Sequence, residues 1–541
     1  MISLFRLFFP KVKTIKSALN SVKNDDSIQL LNKKYNESIH FEKDVTLIGD
    51  SAGRTIIEGI LIIPKNVRVV FKRITISPTS QMYVEGDAIF EQCTIEGNID
   101  ILLTINGGYI IGRNCTFKGA KEVAVALINN SSGLFEHCTF QHNGKMHLLV
   151  KNSKAFIENS DCSNASQGFW ITGNSFMQSK NCFLQYHKEH QILIENSTYI
   201  DHKSTIQRGE GYGIFADHQS DVTLNSTNLL FHKFSQLFIQ NSYLNGKHCT
   251  IQNGNECGVA LQNAESIMTH CEISHHNRSN IHVSKKSKLH LERCEIHSGH
   301  EYGLLISKES IVNCKESNIE NHSSIQVVVT EKSLCSMKEC IIVNGHHVGF
   351  IVDKKSECML AHCKVNQNGN SAINVDRGML KLFQSEVCEN NGNGVLATTH
   401  SKVEVDGCKF THNHMPHIAS KTKVKIQLTD STFENGKSIF VLHRCEIHAI
   451  HCRFHDSMNV QIEINEHSTA KFEHCQIYNG KSYGVKVIKN SNFFFYHSQI
   501  FQHDLAQIVV NDSSVILKES EIYQGKRNAL FIQNHSEVYI Q

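Results

Sequence analysis

A column of small residues recurs along this chain at a nearly constant interval, and that interval constrains the fold more than any other feature. Twenty positions, separated by 21 to 23 residues, carry twelve cysteines, seven serines and one threonine. The column comprises Cys93, Cys115, Cys138, Ser160, Cys182, Ser204, Thr227, Cys249, Cys271, Cys294, Ser317, Cys340, Cys363, Ser385, Cys408, Ser431, Cys452, Cys475, Ser498 and Ser520. A period this constant indicates one structural unit per repeat.

The residues around the column predict what each unit contains. Two residues after each member the side chain is apolar, and alternation of this kind is typical of a strand. Seven residues before each member a small residue, most often serine, predicts a tight corner. Asn or Gly four or five residues after the column predicts a turn, because both residues tolerate left-handed backbone angles. Each repeat is therefore predicted to be strand, corner, strand and turn.

Stacking of such units predicts an all-β fold, a single-stranded right-handed parallel β-helix of about 20 or more coils. Leucine-rich repeats have a similar length, but their L-x-x-L-x-L-x-x-N frame is absent from this sequence. Adjacent coils would lie about 4.8 Å apart, which is the spacing of hydrogen-bonded strands.

The chain is predicted to begin with a segment over residues 1–26 and to continue as the β-helix over residues 27–541. Thr14 is a suitable N-cap for a short helix that would cover the first coil. Four apolar residues fall on one face of that helix: Ile15, Ala18, Leu19 and Val22. The last coil, ending at Gln541, shows no such cap. Either a cap is missing from the sequence, or the coil allows end-to-end self-association.

The nineteen cysteines and the apolar opening predict where the chain resides. The opening "MISLFRLFFP" is too short to span a membrane and lacks a small-residue cleavage site, so we expect no membrane span and no export. No C-x-x-C occurs, which argues against zinc knuckles and redox motifs. We expect a cytoplasmic protein without a cofactor, in which the column cysteines form a buried ladder of thiols.

The thirty-four histidines offer a weaker signal for a metal site. Four of them fall in roughly the same turn and could form an exposed ridge: His276, His300, His322 and His346. The alternative is that they are solvated turn residues without a ligand.

The composition of the chain argues against a nucleic acid as its partner. The formal net charge is +2 and 40% of the residues are apolar, which excludes a disordered chain and a polycation. We therefore expect no nucleic acid partner.

Residues 27–59, "SIQLLNKKYNESIHFEKDVTLIGDSAGRTIIEG", resemble the opening coil of the pectin-lyase-like superfold, which includes pectin methylesterases and NosD-type periplasmic repeat proteins. The later repeats resemble the β-helix repeats of certain F-box proteins. The resemblance implies a fold, but no specific enzyme family. The QDTL motif of the methylesterases is absent, and "SGHEYG" and "NGHHVG" only approach the G-H-G of polygalacturonase-like hydrolases.

One pair of aspartates is a candidate catalytic site. "FIVDKKS" and "INVDRGM" align 23 residues apart, so Asp353 and Asp376 are predicted to stack on adjacent coils about 4.8 Å apart, each followed by a cation, Lys354 or Arg377. Two close carboxylates raise one pKa, which is how glycosidases separate acid from base. The alternative is an exposed ladder of neutralised charges without a catalytic role.

Three functions remain open. The first is a non-catalytic binding or scaffolding solenoid that presents an extended polar face to a protein or glycan. The second is a carbohydrate-active enzyme, a polysaccharide lyase, epimerase or hydrolase, that uses Asp353 and Asp376. The third is a self-assembling structural rod. The constant period leaves no space for the long loops that build a catalytic cleft, so the sequence favours the first function over an enzyme.

Overall fold

The computed structural model describes residues 13–436 and 440–541. Within them the chain is a parallel β-helix of about 23 turns with one short helix near the N-terminus, which confirms the predicted all-β fold. The chain divides into two compact units, residues 1–259 and 260–541.

Each coil contributes three strands, which lie on three faces. Face 1 strands precede the column of small residues, face 2 strands follow it, and face 3 strands follow the turn. The prediction of two strands per repeat was wrong. The residue before the column has a left-handed backbone angle, as at His137 and Asn181 (φ 53° at both), so the chain bends there and the column marks a second corner.

The strands of the first unit are these. Face 1 contains Asp26–Gln29, Val45–Ile48, Arg68–Lys72, Asp87–Glu91, Tyr109–Arg113, Ser132–Glu136, Lys154–Glu158, Phe176–Lys180, Thr198–His202, Asp221–Asn225 and Tyr243–Lys247. Face 2 contains Lys34–Asn36, Ile56–Gly59, Thr75–Pro78, Thr94–Glu96, Thr116–Lys118, Thr139–Gln141, Asp161–Ser163, Phe183–Gln185, Thr205–Gln207, Asn228–Leu230 and Thr250–Gln252. Face 3 contains Ile39–His40, Leu61–Ile63, Met82–Val84, Ile101–Asn106, Val123–Ile128, Met146–Lys151, Gln167–Thr172, Ile192–Glu195, Ile214–Asp217 and Leu237–Gln240.

The remaining strands follow the same order. Face 1 contains Glu265–Thr269, Lys288–Glu292, Ile311–Lys315, Leu334–Lys338, Glu357–Ala361, Met379–Phe383, Lys402–Asp406, Lys425–Thr429, Glu446–Ile450, Thr469–Glu473, Asn492–Tyr496, Ser514–Lys518 and Glu537–Ile540. Face 2 contains Glu272–Ser274, Glu295–His297, Asn318–Glu320, Ile341–Val343, Lys364–Asn366, Glu386–Cys388, Lys409–Thr411, Thr432–Glu434, Arg453–His455, Gln476–Tyr478, Gln499–Phe501 and Glu521–Tyr523. Face 3 contains Val259–Gln262, Ile281–Ser284, Tyr302–Ile306, Ile325–Val329, Phe350–Asp353, Ile373–Asp376, Val395–Thr398, Ile418–Lys421, Phe440–His443, Ile462–Asn465, Val485–Ile488, Ile508–Asn511 and Leu530–Gln533.

Strands pair in parallel with the strand one coil further on. Asp87–Glu91 pairs in this way with Tyr109–Arg113, and Phe350–Asp353 pairs with Ile373–Asp376. Inward side chains alternate with outward ones along each strand, so the interior of each unit is filled by stacked apolar residues such as Phe117 and Phe140, whose rings stack 4.8 Å apart.

The corners explain why the column holds cysteine, serine and threonine. The backbone N–H of Cys138 donates to the hydroxyl of Ser160 one coil on, at 2.9 Å, and Cys182 donates in the same way to Ser204, at 3.0 Å. A small side chain with an acceptor atom therefore satisfies a backbone donor that the bend removes from the strand ladder.

The cysteines are buried and free of disulfides within the described residues, as the thiol ladder predicted. Burial raises the pKa of Cys182 to about 12, so this group stays a thiol at neutral pH. The predicted cytoplasmic location stays a prediction.

The predicted capping helix spans Ile15–Ser21, and the hydroxyl of Thr14 accepts from the N–H of Ser17. The carboxylate of Glu37 accepts from the N–H groups of Ile15 and Lys16, at 2.9 and 3.0 Å, which fixes the start of the helix to the first coil. Ile15 and Ala18 are buried, as predicted, whereas Leu19 is half-buried and Val22 lies after the helix as its C-cap. The boundary between residues 26 and 27 stays a prediction.

A second alternation, over two coils rather than one, is visible in the turn between face 2 and face 3. Two positions four residues apart carry a large polar pair in one coil and two glycines in the next. The polar pairs are His187 and Gln191, His232 and Gln236, His276 and Asn280, and His322 and Gln326. The glycine pairs are Gly209 and Gly213, Gly254 and Gly258, Gly299 and Gly303, and Gly345 and Gly349.

The glycines provide the space that the polar pairs occupy. A Cβ atom on Gly213 would lie 3.0 Å from Cε1 of His232, and one on Gly209 would lie 2.8 Å from Nε2 of Gln191. The imidazole Nδ1 of His187 is hydrogen-bonded to Oε1 of Gln191, and Nε2 of that glutamine donates to the backbone oxygen of Gln207 at 2.7 Å. His187 and Gln191 therefore have hydrogen-bond partners in the interior, whereas Nε2 of His187 has none among the described residues.

Alanine in place of Gly303 is expected to lower stability by about 1–3 kcal/mol, because the new methyl group overfills a packed turn. Its Cβ would lie 2.7 Å from Cε1 of His322 and 2.6 Å from the backbone oxygen of Gln326. Thermal unfolding followed by circular dichroism measures the loss. The matched control is Gly53→Ala, because no atom lies within 4 Å of the position that its new methyl group would take. Equal melting temperatures for the two variants would contradict the explanation of the alternation.

Candidate functional site

The two aspartates singled out from the sequence lie at the ends of neighbouring face 3 strands. Asp353 and Asp376 are direct register partners, which confirms the predicted stacking on adjacent coils. Both are partly exposed, and Oδ1 of Asp353 is buried without a hydrogen-bond partner in the described structure.

Their surroundings differ from each other. Arg377 lies 2.9 Å from Oδ2 of Asp376, and the hydroxyl of Thr398 donates to Oδ1 at 3.0 Å. Burial raises the pKa of Asp376, but hydrogen bonds from Thr399, Thr398 and Arg377 outweigh that effect and leave the pKa below its ordinary value. Asp376 is thus held in its ionised form.

The second predicted cation does not join the pair. Lys354 lies 3.7 Å from a carboxylate oxygen of Glu331, one coil earlier, instead of pairing with an aspartate. The structure therefore brings Asp353, Asp376 and Arg377 together, while Lys354 belongs to a row of charges that runs from coil to coil. A catalytic role of the aspartates stays a prediction.

That row is the corner between face 3 and face 1 in the second unit. Seven exposed cations occupy it over five successive coils. We call these residues the corner ridge: Lys285, Lys286, Lys308, Lys332, Lys354, Lys355 and Arg377. Backbone hydrogen bonds join the successive corners, from the N–H of Lys286 to the oxygen of Lys308 (2.9 Å), from Lys332 to Lys354 (3.1 Å) and from Lys355 to Arg377 (2.7 Å). The cations are therefore presented once or twice per coil, at a spacing of about 4.8 Å.

The ridge residues adopt a backbone conformation that lysine disfavours. Their φ angles are positive, for example 55° at Lys308, 61° at Lys332 and 66° at Lys355. Left-handed angles cost an ordinary L-residue roughly 1–2 kcal/mol, and Asn tolerates them best after Gly. The equivalent corners of the first unit use asparagine, as at Asn130 and Asn152.

Three ridge cations have no ion-pair partner among the described residues. Lys285 donates to the amide oxygen of Gln262 at 2.6 Å, Lys286 lies 3.8 Å from Glu309, and Lys354 and Arg377 have the carboxylate partners given above. By contrast, Lys308, Lys332 and Lys355 form no ion pair with any residue in the part of the chain that the structure describes. The ridge thus holds unpaired positive charge at a fixed pitch.

The corner ridge is marked in the sequence by a recurring tetrapeptide that contains lysine. The tetrapeptides "SKKS", "SKES", "TEKS" and "DKKS" end on the small corner residue of four successive coils. Of the ridge cations, only Lys354 and Arg377 were predicted as site residues, because each of them follows an aspartate.

The predicted ridge of four histidines is wrong. His276 and His322 are fully buried, whereas His300 and His346 are exposed. The four therefore fall in different positions of the turn, because the two-coil alternation places a glycine where the next coil has a histidine. No group of three or more His, Cys, Asp or Glu side chains among residues 13–436 and 440–541 is arranged to hold a metal ion.

The described helix is not long or apolar enough to cross a membrane. The partners and the location predicted from the sequence stay predictions.

Comparisons with known proteins agree with the fold. The family model described as a right-handed beta helix region matches residues 58–202, 190–329, 235–380, 326–473 and 371–522. No match was found among curated proteins.

Solved structures of similar fold include the mannuronan C-5 epimerase AlgE6 A-module of Azotobacter vinelandii, with 11% identity, 79% of this chain and 90% of that chain covered, and a TM-score of 0.26. The PL6 family alginate lyase AlyGC has 10% identity, 97% and 98% coverage, and a TM-score of 0.23. The pectate lyase Pel9A has 9% identity, 59% and 70% coverage, and a TM-score of 0.24. These likenesses carry no argument about activity. The family model covers most of the chain, and the chain therefore belongs to the right-handed beta helix family.

Proposed function

We propose that the chain is a non-catalytic binding protein that holds an acidic polysaccharide along the corner ridge. The observation that carries the proposal is the placement of lysine and arginine at left-handed corners where asparagine would be more stable. Lysine and arginine that occur at such corners in successive coils, against their backbone preference, point to a role for their side chains outside the fold.

The charge pattern favours a carboxylated glycan. A linear polyuronate carries one carboxylate on each sugar ring, and the ridge presents cations at each successive coil. Lys308, Lys332 and Lys355 are available to such a ligand because they form no ion pair within the described residues. Single-stranded nucleic acid is recognised largely by aromatic stacking, and the ridge contains no aromatic side chain.

The carbohydrate-active enzyme and the self-assembling rod have less support than a binding protein. General-acid catalysis needs a carboxyl group with a raised pKa, and the pKa of Asp376 is lowered. Self-assembly through the last coil stays a prediction. Its inward residues Ile532 and Ile540 are 49% and 69% exposed, whereas their register partners Val510 and Leu517 are buried.

Replacing Lys308, Lys332 and Lys355 together with asparagine is expected to weaken binding of polygalacturonate about tenfold. The loss follows from three exposed ion pairs worth about 0.5 kcal/mol each. Because asparagine suits the left-handed corner, the melting temperature should not fall. Titration calorimetry at low ionic strength measures the affinity, which should also decline as salt is added.

The matched control replaces three exposed lysines of the same unit outside the ridge, Lys288, Lys481 and Lys518, with asparagine, because they likewise form no ion pair within the described residues. If the ridge and control variants lose the same affinity for polygalacturonate, the loss arises from net charge alone and the proposal is wrong. Dextran, a neutral glycan, should not bind. Cleavage or shortening of the polygalacturonate by the unmodified chain, abolished in Asp353→Asn with Asp376→Asn, would instead support the enzyme.

A further inference from the structure

The first unit exposes large apolar side chains at one place in particular. Tyr186, Phe231 and Phe234 are 45%, 48% and 45% exposed, and they lie in the turns between face 2 and face 3 of two coils that are separated by one further coil. Most other outward positions of these turns are polar. With their neighbours they form what we call the aromatic patch: Tyr186, Arg208, Tyr212, Phe231, Phe234 and Phe238.

Three rings of the patch, those of Tyr212, Phe234 and Phe238, lie in contact around Tyr212. The ring centroid of Tyr212 lies 5.3 Å from that of Phe234, 5.1 Å from that of Phe238 and 5.6 Å from that of Phe215. These are contact distances between aromatic rings. Tyr212, Phe234 and Phe238 therefore pack as one aromatic cluster, beside the exposed rings of Tyr186 and Phe231.

A single cation lies within the patch. Tyr186, Arg208 and Phe231 each follow the face 2 strand of three successive coils. The guanidinium of Arg208 donates to the phenol oxygen of Tyr186 at 2.7 Å and lies 5.9 Å from the centre of its ring. Arg208 forms no ion pair with the residues that the structure describes, so its charge is unopposed by a carboxylate.

The same three residues occupy left-handed corners. Their φ angles are 59°, 52° and 61°, and asparagine fills the equivalent position in other coils of the unit, at Asn164 and Asn253. A bulky aromatic residue in this conformation is an outlier. Tyr186 and Phe231 thus occupy exposed positions where asparagine would suit the backbone better.

We propose that the aromatic patch is a docking surface for a protein whose contact segment places a carboxylate opposite Arg208, between apolar side chains. Tyr, Phe and Arg are the residue types enriched at the centre of protein interfaces, and energetic hot spots there are enriched in Tyr and Arg. A sugar would need several hydrogen-bonding groups, but three of the six patch residues are phenylalanines, which offer none.

The test is a selection of peptides from a random displayed library on the full-length chain. The library is first depleted on a variant that carries Tyr186→Asn, Phe231→Asn and Phe234→Ser. We expect enriched sequences with Asp or Glu flanked by aromatic or aliphatic residues. A selected peptide should bind the unmodified chain at least tenfold more tightly than the variant. Arg208→Gln should weaken that peptide about tenfold and leave its alanine-for-acid version unaffected.

Two controls keep the variant interpretable. Its melting temperature should equal or exceed that of the unmodified chain, because asparagine suits the left-handed corners. Exchange of exposed Lys203 and Lys247 of the same unit for Asn should leave peptide binding unchanged.

Three results would overturn the proposal. The first is a selection that yields no sequences specific to the patch, or only sequences without an acid. The second is an unmodified chain that dimerises in solution while the variant is monomeric, which assigns the patch to a second copy. The third is binding of neutral oligosaccharides that the variant loses, which assigns it to a glycan.

Discussion

Replacing Asp201 with alanine is expected to destabilise the first unit by about 3–5 kcal/mol, which is among the largest effects of any single substitution in that unit. Asp201 is fully buried in the interior, on a face 1 strand. Its carboxylate accepts hydrogen bonds from the hydroxyls of Ser179 and Thr227, and from the N–H of Ser204 at 3.2 Å. Alanine leaves the hydroxyl of Thr227 and the N–H of Ser204 buried without this acceptor, and it leaves the hydroxyl of Ser179 with Tyr199 as its remaining partner. Each unsatisfied buried group costs about 1–3 kcal/mol.

Urea unfolding followed by circular dichroism measures the effect of Asp201→Ala. The matched control is Asp221→Ala, an exposed aspartate on the next face 1 strand, which should change stability by less than about 0.5 kcal/mol. A double variant with Asp201→Leu and Ser179→Ala should lose less than Asp201→Ala, because apolar side chains such as Leu224 fill the same position one coil on. Unfolding midpoints that coincide for Asp201→Ala and the unmodified chain would contradict the account.

Stability is expected to fall steeply between about pH 6.5 and pH 5, because buried histidines are neutral in the folded chain. Burial lowers the pKa of His187, His232, His322 and His417 to about 4. The unfolded chain, with ordinary histidines near 6.5, then binds protons that the folded chain does not bind. The contribution is complete above about pH 6.5 and is lost as the pH falls towards 4. At pH 5 the loss is of the order of 2 kcal/mol for each histidine.

The variant His232→Asn tests this origin. Asparagine occupies the equivalent turn position in other coils, for example at Asn368 and Asn390, so the substitution is compatible with the fold. Unfolding midpoints in urea at pH 7.5, 6 and 5 should show a weaker pH dependence for His232→Asn than for the unmodified chain. The control is His137→Asn at an exposed corner. If both variants keep the full pH dependence, the buried histidines are not its cause.

In the candidate site, the sequence predicted the stacked aspartates but not the partners of the cations beside them. The stacking of Asp353 on Asp376 followed from counting residues, because each coil repeats the last at a fixed interval. The partner of Lys354 did not follow, since a lysine side chain can reach either its own coil or the next one. The ridge cations are visible in the sequence as a recurring tetrapeptide, but only the structure shows that they lie at corners with positive φ angles.

The turn histidines show that sequence periodicity does not decide which side chains of a turn are buried. His276 and His300 are 24 residues apart, close to one coil, yet one is buried and the other exposed. A shift of one or two residues within a turn decides which side chain points inward. Periodicity alone does not resolve such a shift, because turns lack the alternation that marks the two sides of a strand.

The sequence by itself determined the class of fold, the coil length and the identity of the thiol column. These properties are local, because each coil of a solenoid contacts only its neighbours and the same packing requirement recurs in every repeat. The tertiary structure decided the third strand of each coil, the inward placement of His276 and His322, and the grouping of the corner ridge and the aromatic patch. Those features depend on the backbone angle at each corner, which sets the direction of every side chain beyond it.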